Sequence, residues 1–246
     1  MSKSQSRLSR KNVKDRWGAR LVEGASWTAN DNPVVHSTLE EPPTAAIGYR
    51  AARRIHKERM AADDTNYHVA ALIHTCTDDQ NFDGPRTGIW AKPEEFIEMA
   101  HHFEGASVDL SLYADMPDPV MRGQVYRMRS LEYALASAGA GVVVNARWCG
   151  PETWSYTIDE LPERSMLLVG TVGSGLKLLE NRPVFEAGMR RILETKSPTG
   201  LIVIGSAASP VFDEAREQGV LVAQFDGESC AAFKATHRGK GGEADV

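Results

Sequence analysis

The sequence predicts an α/β protein with a single domain and a mainly parallel sheet of about six βα units. Short apolar segments recur along the chain as strand candidates, and segments of helical periodicity lie between them. Strands that alternate with helices pair in parallel through right-handed crossovers. The apolar segments also lack a clean polar alternation, which is typical of strands covered on both faces. An incomplete or irregular (β/α) barrel and an open doubly wound sheet both satisfy this pattern.

Six apolar segments are the strand candidates, and polar or turn residues follow most of them. They are Val69–Thr75, Ser107–Tyr113, Gly141–Ala146, Met166–Thr171, Leu201–Gly205 and Val220–Phe225. The helix candidates have apolar residues at three- and four-residue spacing. They are Ala45–Ala62, Pro93–Phe103, Pro119–Ala138, a weaker one near Thr157–Leu161, Pro183–Glu194 and Val211–Gln218.

The predicted helix Pro119–Ala138 carries two neighbouring stripes. Its core face consists of Met121, Val125, Met128, Leu131 and Leu135. The second stripe consists of Arg122, Tyr126, Arg129 and Tyr133. Alternating arginine and tyrosine suits recognition of phosphate with base stacking, and it equally suits packing against a neighbouring element.

The composition is that of a soluble globular protein. A chain of 246 residues with 42% hydrophobic and 25% charged residues is long enough for one α/β domain with a substantial core. The longest apolar runs are strand-sized and no apolar h-region follows the basic N-terminus, so neither a membrane span nor a secretory signal is expected. The cysteines Cys76, Cys149 and Cys230 are far apart and form no CxxC pair, which favours a reducing cytoplasm.

The charge is unevenly distributed along the chain. Residues 1–20 contain seven Lys or Arg and one acid, a net charge of +6, whereas the whole chain carries −5 and the remainder therefore about −11. We expect a basic, disordered arm over residues 1–44, an α/β domain over 45–230 and a flexible tail over 231–246. Any attraction to nucleic acid would come mainly from the arm, because the body is acidic.

Polar residues follow the predicted strands at their carboxyl ends. Ligands of α/β proteins collect at this edge because the loops that leave it lead into helix N-termini. Carboxylates, an amide, a guanidinium, an indole and glycines are expected to converge there, which is the composition of a polar ligand site. The candidate catalytic residues are Asp78, Asp109 and Asp115. The candidate binding residues are Asn145, Arg147, Trp148, Tyr113, Arg129 and Gly173.

Asp78 and Asp109 are also the candidate metal ligands. Carboxylates from neighbouring strand ends are the usual way to hold Mg²⁺ or another divalent cation beside a phosphate. The structural alternative is that Asp78 begins a turn, Asp79 is solvated and Asp115 caps the following helix.

Asp109 is poorly explained by a turn or a cap, because it falls at the start or in the interior of the predicted strand Ser107–Tyr113. Within that segment, Leu110 and Leu112 alternate with polar residues. An unpaired buried carboxylate is strongly disfavoured, so we expect Asp109 to point toward a pocket with partners. Asp78 and Asn145 are the expected neighbours.

The segment Gly170–Lys177 has the composition of a phosphate-binding loop but matches neither the Walker nor the dinucleotide pattern. The backbone amides of Gly173 and Gly175 can hold an anion, or the glycines can serve a turn that needs positive φ. The alternation of His74, Cys76 and Asp78 places them on one face of a strand, but no fourth zinc ligand at suitable spacing accompanies them.

An ordered series of residues runs through the predicted α/β body. It consists of Asp109-x-Ser111-x-Tyr113-x-Asp115-Met116-Pro117, Gln124, Tyr126-Arg127-x-Arg129, Gly141-Val-Val-Val, Trp148, Thr171-x-Gly173, Phe185-x-x-Gly188, Pro198 and Gly205. In order and spacing, this series resembles the domain-of-unknown-function family 4417 from about His68 to Phe225. The sequence departs from that pattern at Asn145-Ala-Arg147, where an aliphatic approach to Trp148 is expected. The resemblance implies a protein of bacteria, phages or other mobile elements, in the host cytoplasm if phage-encoded, and no particular activity.

Two functions from different classes remain open. The first is an enzyme acting on a phosphate-containing substrate, a nucleotide or a nucleic acid, with strand-end aspartates as metal ligands or as acid and base. The second is a non-catalytic module that binds nucleic acid or a host protein, with the basic arm supplying affinity. Converging acids favour the enzyme, and the lack of a motif for any named reaction favours the binding module.

Overall fold

The computed structural model describes residues 15, 17–172, 174, 176 and 178–227, which form an α/β fold. The strands are β1 (Ala46–Gly48), β2 (Val69–His74), β3 (Phe103–Ser107), β4 (Val144–Asn145), β5 (Met166–Gly170), β6 (Gly200–Ile204) and β7 (Leu221–Phe225). The α-helices are α1 (Tyr49–Ala61), α2 (Pro93–Ala100), α3 (Asp118–Ser137), α4 (Trp154–Thr157), α5 (Arg182–Lys196) and α6 (Val211–Glu217). The α/β class predicted from the sequence is confirmed.

The strands pair in parallel, and their order follows the chain. One sheet has the order β1-β2-β3 and the other the order β4-β5-β6-β7. A parallel bridge between Ala106 and Val142 joins β3 to the segment that enters β4. A doubly wound sheet needs a reversal of strand order, and the described strands contain none. The described strands therefore follow one another in the sequential order of a parallel barrel.

The two faces of the strands pack in different places. In β2, Ala71 and Ile73 belong to the core that includes the helices, whereas Leu72 between them belongs to a second cluster. That inner cluster contains residues from both sheets, namely Leu72, Cys76, Val143, Met166, Leu168, Ile202 and Ile204. The sheets thus curve around a shared interior, but β1 and β7 are not paired in the described chain. Over the residues that the structure describes, the barrel is therefore incomplete and does not close.

The strand predicted at Ser107–Tyr113 lies one segment earlier, at β3. Its Glu-Gly-Ala-Ser residues have low strand propensity, so the sequence pattern missed it. Close packing requires the glycine, because a Cβ on Gly105 would lie 2.4 Å from the carbonyl oxygen of Gly141. Leu110 and Leu112 are buried but do not lie in a strand, so their alternation with polar residues reflects burial alone. Asp109 consequently lies just beyond the carboxyl end of β3.

The segment before β1 covers the amino end of the barrel. The Ser37 hydroxyl donates to the carbonyl of Met166 (2.5 Å) and accepts from the backbone N–H of Val144 (2.8 Å), at the first residues of β5 and β4. The Thr38 hydroxyl accepts from the N–H of Val142 (2.8 Å), and Leu39 packs against the inner cluster. A ligand of the barrel interior therefore has to approach from the carboxyl ends of the strands.

The described residues nearer the N-terminus pack on α3. The hydroxyls of Tyr126 and Tyr133 donate to the carbonyls of Trp17 (2.9 Å) and Glu23 (3.2 Å). Arg122 donates to Asn30 Oδ1 (3.0 Å). Three members of the arginine–tyrosine stripe thus serve packing.

The sequence predicts a disordered arm over residues 1–44; in the described part of that segment, Leu21, Val22 and Val35 are buried. Residues 1–14 and 16, like the predicted tail over 231–246, lie outside the described residues. No helix in the described part of the chain is long and apolar enough to cross a membrane.

Candidate functional site

A cavity of about 340 Å³ opens at the carboxyl ends of β4 and β5, and we call it the mouth cavity. Its walls are the segments that follow β3, β4 and β5 together with the start of α5. Of the residues predicted from the sequence, Tyr113, Arg147 and Trp148 line it. Its volume lies near the lower end of the range for small-molecule sites, roughly 300–1,000 Å³.

Asp109, Arg147 and Cys76 meet beside the floor of this cavity. Arg147 Nη1 lies 3.9 Å from Asp109 Oδ2, and the Cys76 thiol is hydrogen-bonded to the Asp109 carboxyl. A Cβ added to Gly170 would lie 3.1 Å from both Asp109 Oδ2 and Cys76 Sγ. Gly170 lines the cavity and has no side chain, so the Asp109 carboxyl and the Cys76 thiol lie directly behind the cavity floor at this residue.

The end of β2 holds the backbone of Asp109 in place. Thr75 Oγ1 accepts from the N–H of Asp109 (2.6 Å) and donates to the Asp109 carbonyl (3.1 Å). These reciprocal bonds tie the second residue after β3 to the first residue after β2. The carboxyl group is thereby fixed on the inner side of the barrel.

Burial dominates the ionisation of these groups. It raises the pKa of the Asp109 carboxyl, which the Arg147 guanidinium opposes. Burial, with the Asp109 charge adding to it, raises the pKa of the Cys76 thiol well above its usual value. Cys76 is therefore a neutral hydrogen-bonding thiol rather than a thiolate nucleophile. A carboxyl with a raised pKa beside a cation and a cleft has the properties of an acid–base group.

Several buried polar atoms in this region have no hydrogen-bond partner within the described residues. They are Ser107 Oγ, Asp109 Oδ1, Arg147 Nε and both polar side-chain atoms of Asn145. The register pairs Asn145 with Leu168 of the inner cluster, so its side chain faces the barrel interior. Buried polar groups are normally hydrogen-bonded, so this set marks a place for the polar groups of a ligand or of water.

His74 lies two residues after Leu72 and on the same inner face. Burial lowers its pKa from 6.5 to about 4. Its Nδ1 accepts from the N–H of Cys76 (3.3 Å), so the ring is a neutral imidazole at neutral pH. His74 therefore contributes a polar group but no charge to the interior.

The structure does not bring Asp78 or Asp115 to this place. Both are exposed, and Asp78 does not cap the short helix that follows it. The structural alternative considered from the sequence was that Asp79 is solvated, but its carboxylate accepts from the N–H (3.1 Å) and the hydroxyl (2.8 Å) of Ser111. Its charge also contributes to raising the pKa of Asp109.

Arg129 lies in a buried ion pair behind β4. It donates to Glu132 (2.5 Å) and to the carbonyl of Asn145 (2.8 Å), while Glu132 accepts from the N–H of Asn145 (2.8 Å). This arrangement fastens α3 to β4. Arg129 thus has the packing role that the sequence left open, and it does not line the mouth cavity.

Trp148 forms a wall of the mouth cavity and packs on α5. Its ring stacks on Phe185 with 5.3 Å between centroids. A Cβ on Gly188 would lie only 2.0 Å from Trp148 Nε1, so this position of α5 has to be glycine. The packing of Trp148 accounts for the Phe185-x-x-Gly188 spacing. Tyr113 is half exposed at the rim, and its hydroxyl donates to Ser111 Oγ (3.2 Å).

Gly173 lies outside the described residues, and so does Gly175. Two features of the site were not predicted from the sequence, namely the position of the Cys76 thiol beside Asp109 and the position of the start of α5 at the cavity. The alternation of Leu72, His74 and Cys76 was a signal for the former. The latter depends on how α5 is placed over the sheet, which no local pattern shows.

The described residues contain no group of three His, Cys, Asp or Glu side chains that could hold a metal ion. Asp109 is buried, whereas Asp78, its expected partner as a ligand, is exposed. The positive charge beside Asp109 comes from Arg147.

Together, the fold and the site define an α/β protein with an incomplete parallel barrel and a cavity of mixed polar and apolar lining at the carboxyl ends of its strands. The family model described as "Domain of unknown function (DUF4417)" matches residues 38–226, and the chain belongs to this family. The match begins at residue 38, earlier than His68, from which the sequence pattern resembles the family. It includes the end of the segment that covers the amino end of the barrel.

Two curated relatives are phage proteins. The chain is 28% identical over 134 residues to the Gene 1 protein of Mycobacterium phage D29, covering 54% of this chain and 48% of that protein. It is 25% identical over 134 residues to the Gene 1 protein of Mycobacterium phage L5, covering 54% of this chain and 56% of that protein. The chain thus spans about half the length of these relatives. No solved structure matches it.

Proposed function

We propose that the protein is an enzyme acting on a small phosphate-containing substrate, such as a nucleotide, bound in the mouth cavity. The observation that carries this proposal is the pair of the partly buried Arg147 and the buried Asp109 beside the cavity floor. Arg147 Nε and Asp109 Oδ1 have no hydrogen-bond partner within the described residues. A cation and an acid beside one cavity can hold an anion and move a proton next to it.

The phosphate group would lie between Arg147 and the start of α5. Asn181, Val184 and Phe185 bring the first turn of this 15-residue helix to the cavity wall. The N–H of Arg182 donates to the carbonyl of Leu179 and Pro183 has no N–H, so it is the helix dipole that favours an anion at this end. The planar guanidinium of Arg147 suits bidentate contact with phosphate oxygens.

Asp109 would be the general acid or base. Its raised pKa brings the protonated and ionised forms closer in free energy near neutral pH than for an exposed aspartate. The Cys76 thiol and the backbone contacts to Thr75 fix the orientation of the carboxyl. This role needs only groups of this chain.

A divalent cation, as expected from the sequence, would have Asp109 as its buried carboxylate ligand. Arg147 occupies the position beside Asp109 and supplies positive charge there. This arrangement favours a reaction in which Arg147 neutralises the phosphate. Measuring ligand binding with and without Mg²⁺ separates the two versions.

The test is titration calorimetry of inorganic phosphate and of a nucleoside 5′-monophosphate. We expect Arg147→Lys to bind at least about tenfold more weakly, which corresponds to about 1.4 kcal/mol, because the charge remains but the planar fork is lost. The control is Arg191→Lys, since Arg191 pairs with Asp159 on the surface (3.0 Å) and should leave binding unchanged. Equal binding by parent and Arg147→Lys, or no binding by the parent with or without Mg²⁺, contradicts the proposal.

Asp109→Asn separates binding from chemistry. The variant removes a negative charge near the phosphate, so we expect it to bind the nucleotide at least as tightly as the parent. Turnover of a nucleotide that the parent converts should be lost, because the amide cannot exchange a proton. Full turnover in this variant would remove Asp109 from the proposed reaction.

A further inference from the structure

A second cavity of about 340 Å³ lies along α1, and we call it the α1 groove. Its lining residues differ from those of the mouth cavity. The charged and polar side chains that line it are Arg50, Arg53, Arg54, Lys57, Glu58 and Asn81. Helix α1 follows β1, and the short 3-10 helix that contains Asn81 follows β2. Both helices therefore begin at the carboxyl side of the sheet.

The α1 groove carries an excess of positive charge. Four cationic side chains and one carboxylate line it, which leaves a net charge of +3. Arg54 pairs with Glu58 at 3.4 Å. Within the described part of the chain, Arg50, Arg53 and Lys57 form no ion pair. Since the chain beyond its first twenty residues is acidic, this groove is a local exception to the charge of the body.

The cations repel one another along the helix. Arg50 is three and four residues from Arg53 and Arg54, and Lys57 is four and three residues from the same two. Like charges at these spacings face each other and destabilise a helix. No acidic residue lies in the first turn of α1 to compensate. A bound polyanion would relieve this repulsion.

We propose that the α1 groove binds the phosphate backbone of a nucleic-acid strand. The cationic positions extend over eight residues, from Arg50 to Lys57, or about 10 Å of helix at 1.5 Å per residue, which suits successive phosphates better than a single one. Arginine forks bind phosphate oxygens bidentately and lysine adds a point charge. The surface is independent of the reaction proposed for the mouth cavity and of the basic residues before residue 20.

The experiment is fluorescence anisotropy of a labelled 20-nucleotide single-stranded DNA with the full-length chain over a series of salt concentrations. The test variant is Arg50→Gln/Arg53→Gln/Lys57→Gln. The control variant is Arg190→Gln/Arg191→Gln/Arg216→Gln, which removes the same total charge from arginines of α5 and α6 that already pair with acids. Both variants keep the N-terminal basic residues, so their contribution is the same in each.

We expect the groove variant to bind at least tenfold more weakly at low salt. Its slope of log K against log salt should fall by about 2, since each phosphate contact on a single strand contributes about 0.7. The control should retain the slope and affinity of the parent. Equal losses in the two variants, or no change in the groove variant, would overturn the proposal.

Two further measurements keep the outcome clear. Thermal melting should show that the groove variant is as stable as the parent, because it removes like-charge repulsion. If it does not fold, Lys57→Gln alone should lower the slope by about 0.7. Inorganic tripolyphosphate should displace the DNA only at much higher phosphate concentration, and displacement at equal phosphate concentration would assign the groove to a small anion instead.

Discussion

At the scale of single residues, Asp109 is a buried carboxyl group whose charge and hydrogen-bonding capacity are only partly matched by its neighbours. Arg147 is 3.9 Å away, beyond hydrogen-bond length, and Oδ1 has no partner within the described residues. Such groups are unfavourable for stability and are kept at ligand sites, where they serve function. The ionised form is the costly one, because burial raises the pKa of this carboxyl.

The sign of the pH dependence follows from that shift. A carboxyl whose folded-state pKa is raised contributes most to stability below its ordinary pKa, and that contribution is lost as the pH rises through the raised value. We expect Asp109→Asn, which cannot ionise, to gain stability relative to the parent as the pH rises. At pH 8 the variant should be at least as stable as the parent in urea denaturation.

The opposite result has a defined meaning. If Asp109→Asn is less stable than the parent by about 1–3 kcal/mol at pH 8, the carboxylate is a structural hydrogen-bond acceptor. A comparison at pH 5 and pH 8 in the same buffer is the control, because it isolates the pH-dependent part of the difference.

At the scale of elements, helix α5 shapes the mouth cavity through a contact that depends on a glycine. Gly188 lies under Trp148, and Trp148 in turn stacks on Phe185 of the same helix. The strand end that carries Arg147 is thereby joined to the helix whose first turn lines the cavity. The position of the cavity wall follows from this packing.

Two glycine-to-alanine substitutions in helices test this contact. Gly188→Ala should destabilise the protein by about 1–3 kcal/mol, because the new methyl group overlaps with Trp148. Gly123→Ala in α3 is the matched control, since a Cβ there has nothing within 4 Å, and it should stabilise the protein by about 0.5–1 kcal/mol. Chemical denaturation measures both, and a shift in Trp fluorescence should accompany Gly188→Ala alone. Equal effects of the two substitutions would show that Trp148 does not depend on Gly188.

At the scale of the whole molecule, the N-terminal part of the chain is divided by its packing. Residues 17–30 contact α3 and contribute Leu21 and Val22 to the core. Residues 33–44 follow and cover the amino end of the barrel. The basic residues before position 15 belong to the longer segment, residues 1–44, for which the sequence predicts a solvated arm.

Two truncations should therefore behave differently. Deletion of residues 1–14 should leave the melting temperature nearly unchanged and weaken polynucleotide binding, because five basic residues are lost. Deletion of residues 1–30 should lower the unfolding free energy by at least about 2 kcal/mol through loss of the buried Leu21 and Val22. Differential scanning calorimetry of both proteins measures the contrast. A large loss in the shorter truncation would contradict the solvated-arm hypothesis.

Local patterns were sufficient for the α/β class and for most elements. Helix α3 is close to the predicted Pro119–Ala138, and β5 and β6 each lie within a residue of their predicted bounds. Runs such as Leu201–Ile204 are apolar because they are buried on both faces, so burial is directly visible in the sequence. The same reasoning placed Asn145 and Arg147 at a strand end, with Arg147 lining the cavity.

What the sequence determined by itself was which segments are buried and where most strands end, β3 excepted, because both depend on residues close together along the chain. Only the tertiary structure decided which strand ends are neighbours. It separated Asp78 and Asp115 from Asp109, paired Arg129 with Glu132, and placed Cys76 and the start of α5 at the site. These relations depend on sheet curvature, on register and on close approaches such as Gly105 to Gly141. They join segments far apart in the chain, so no short-range pattern contains them.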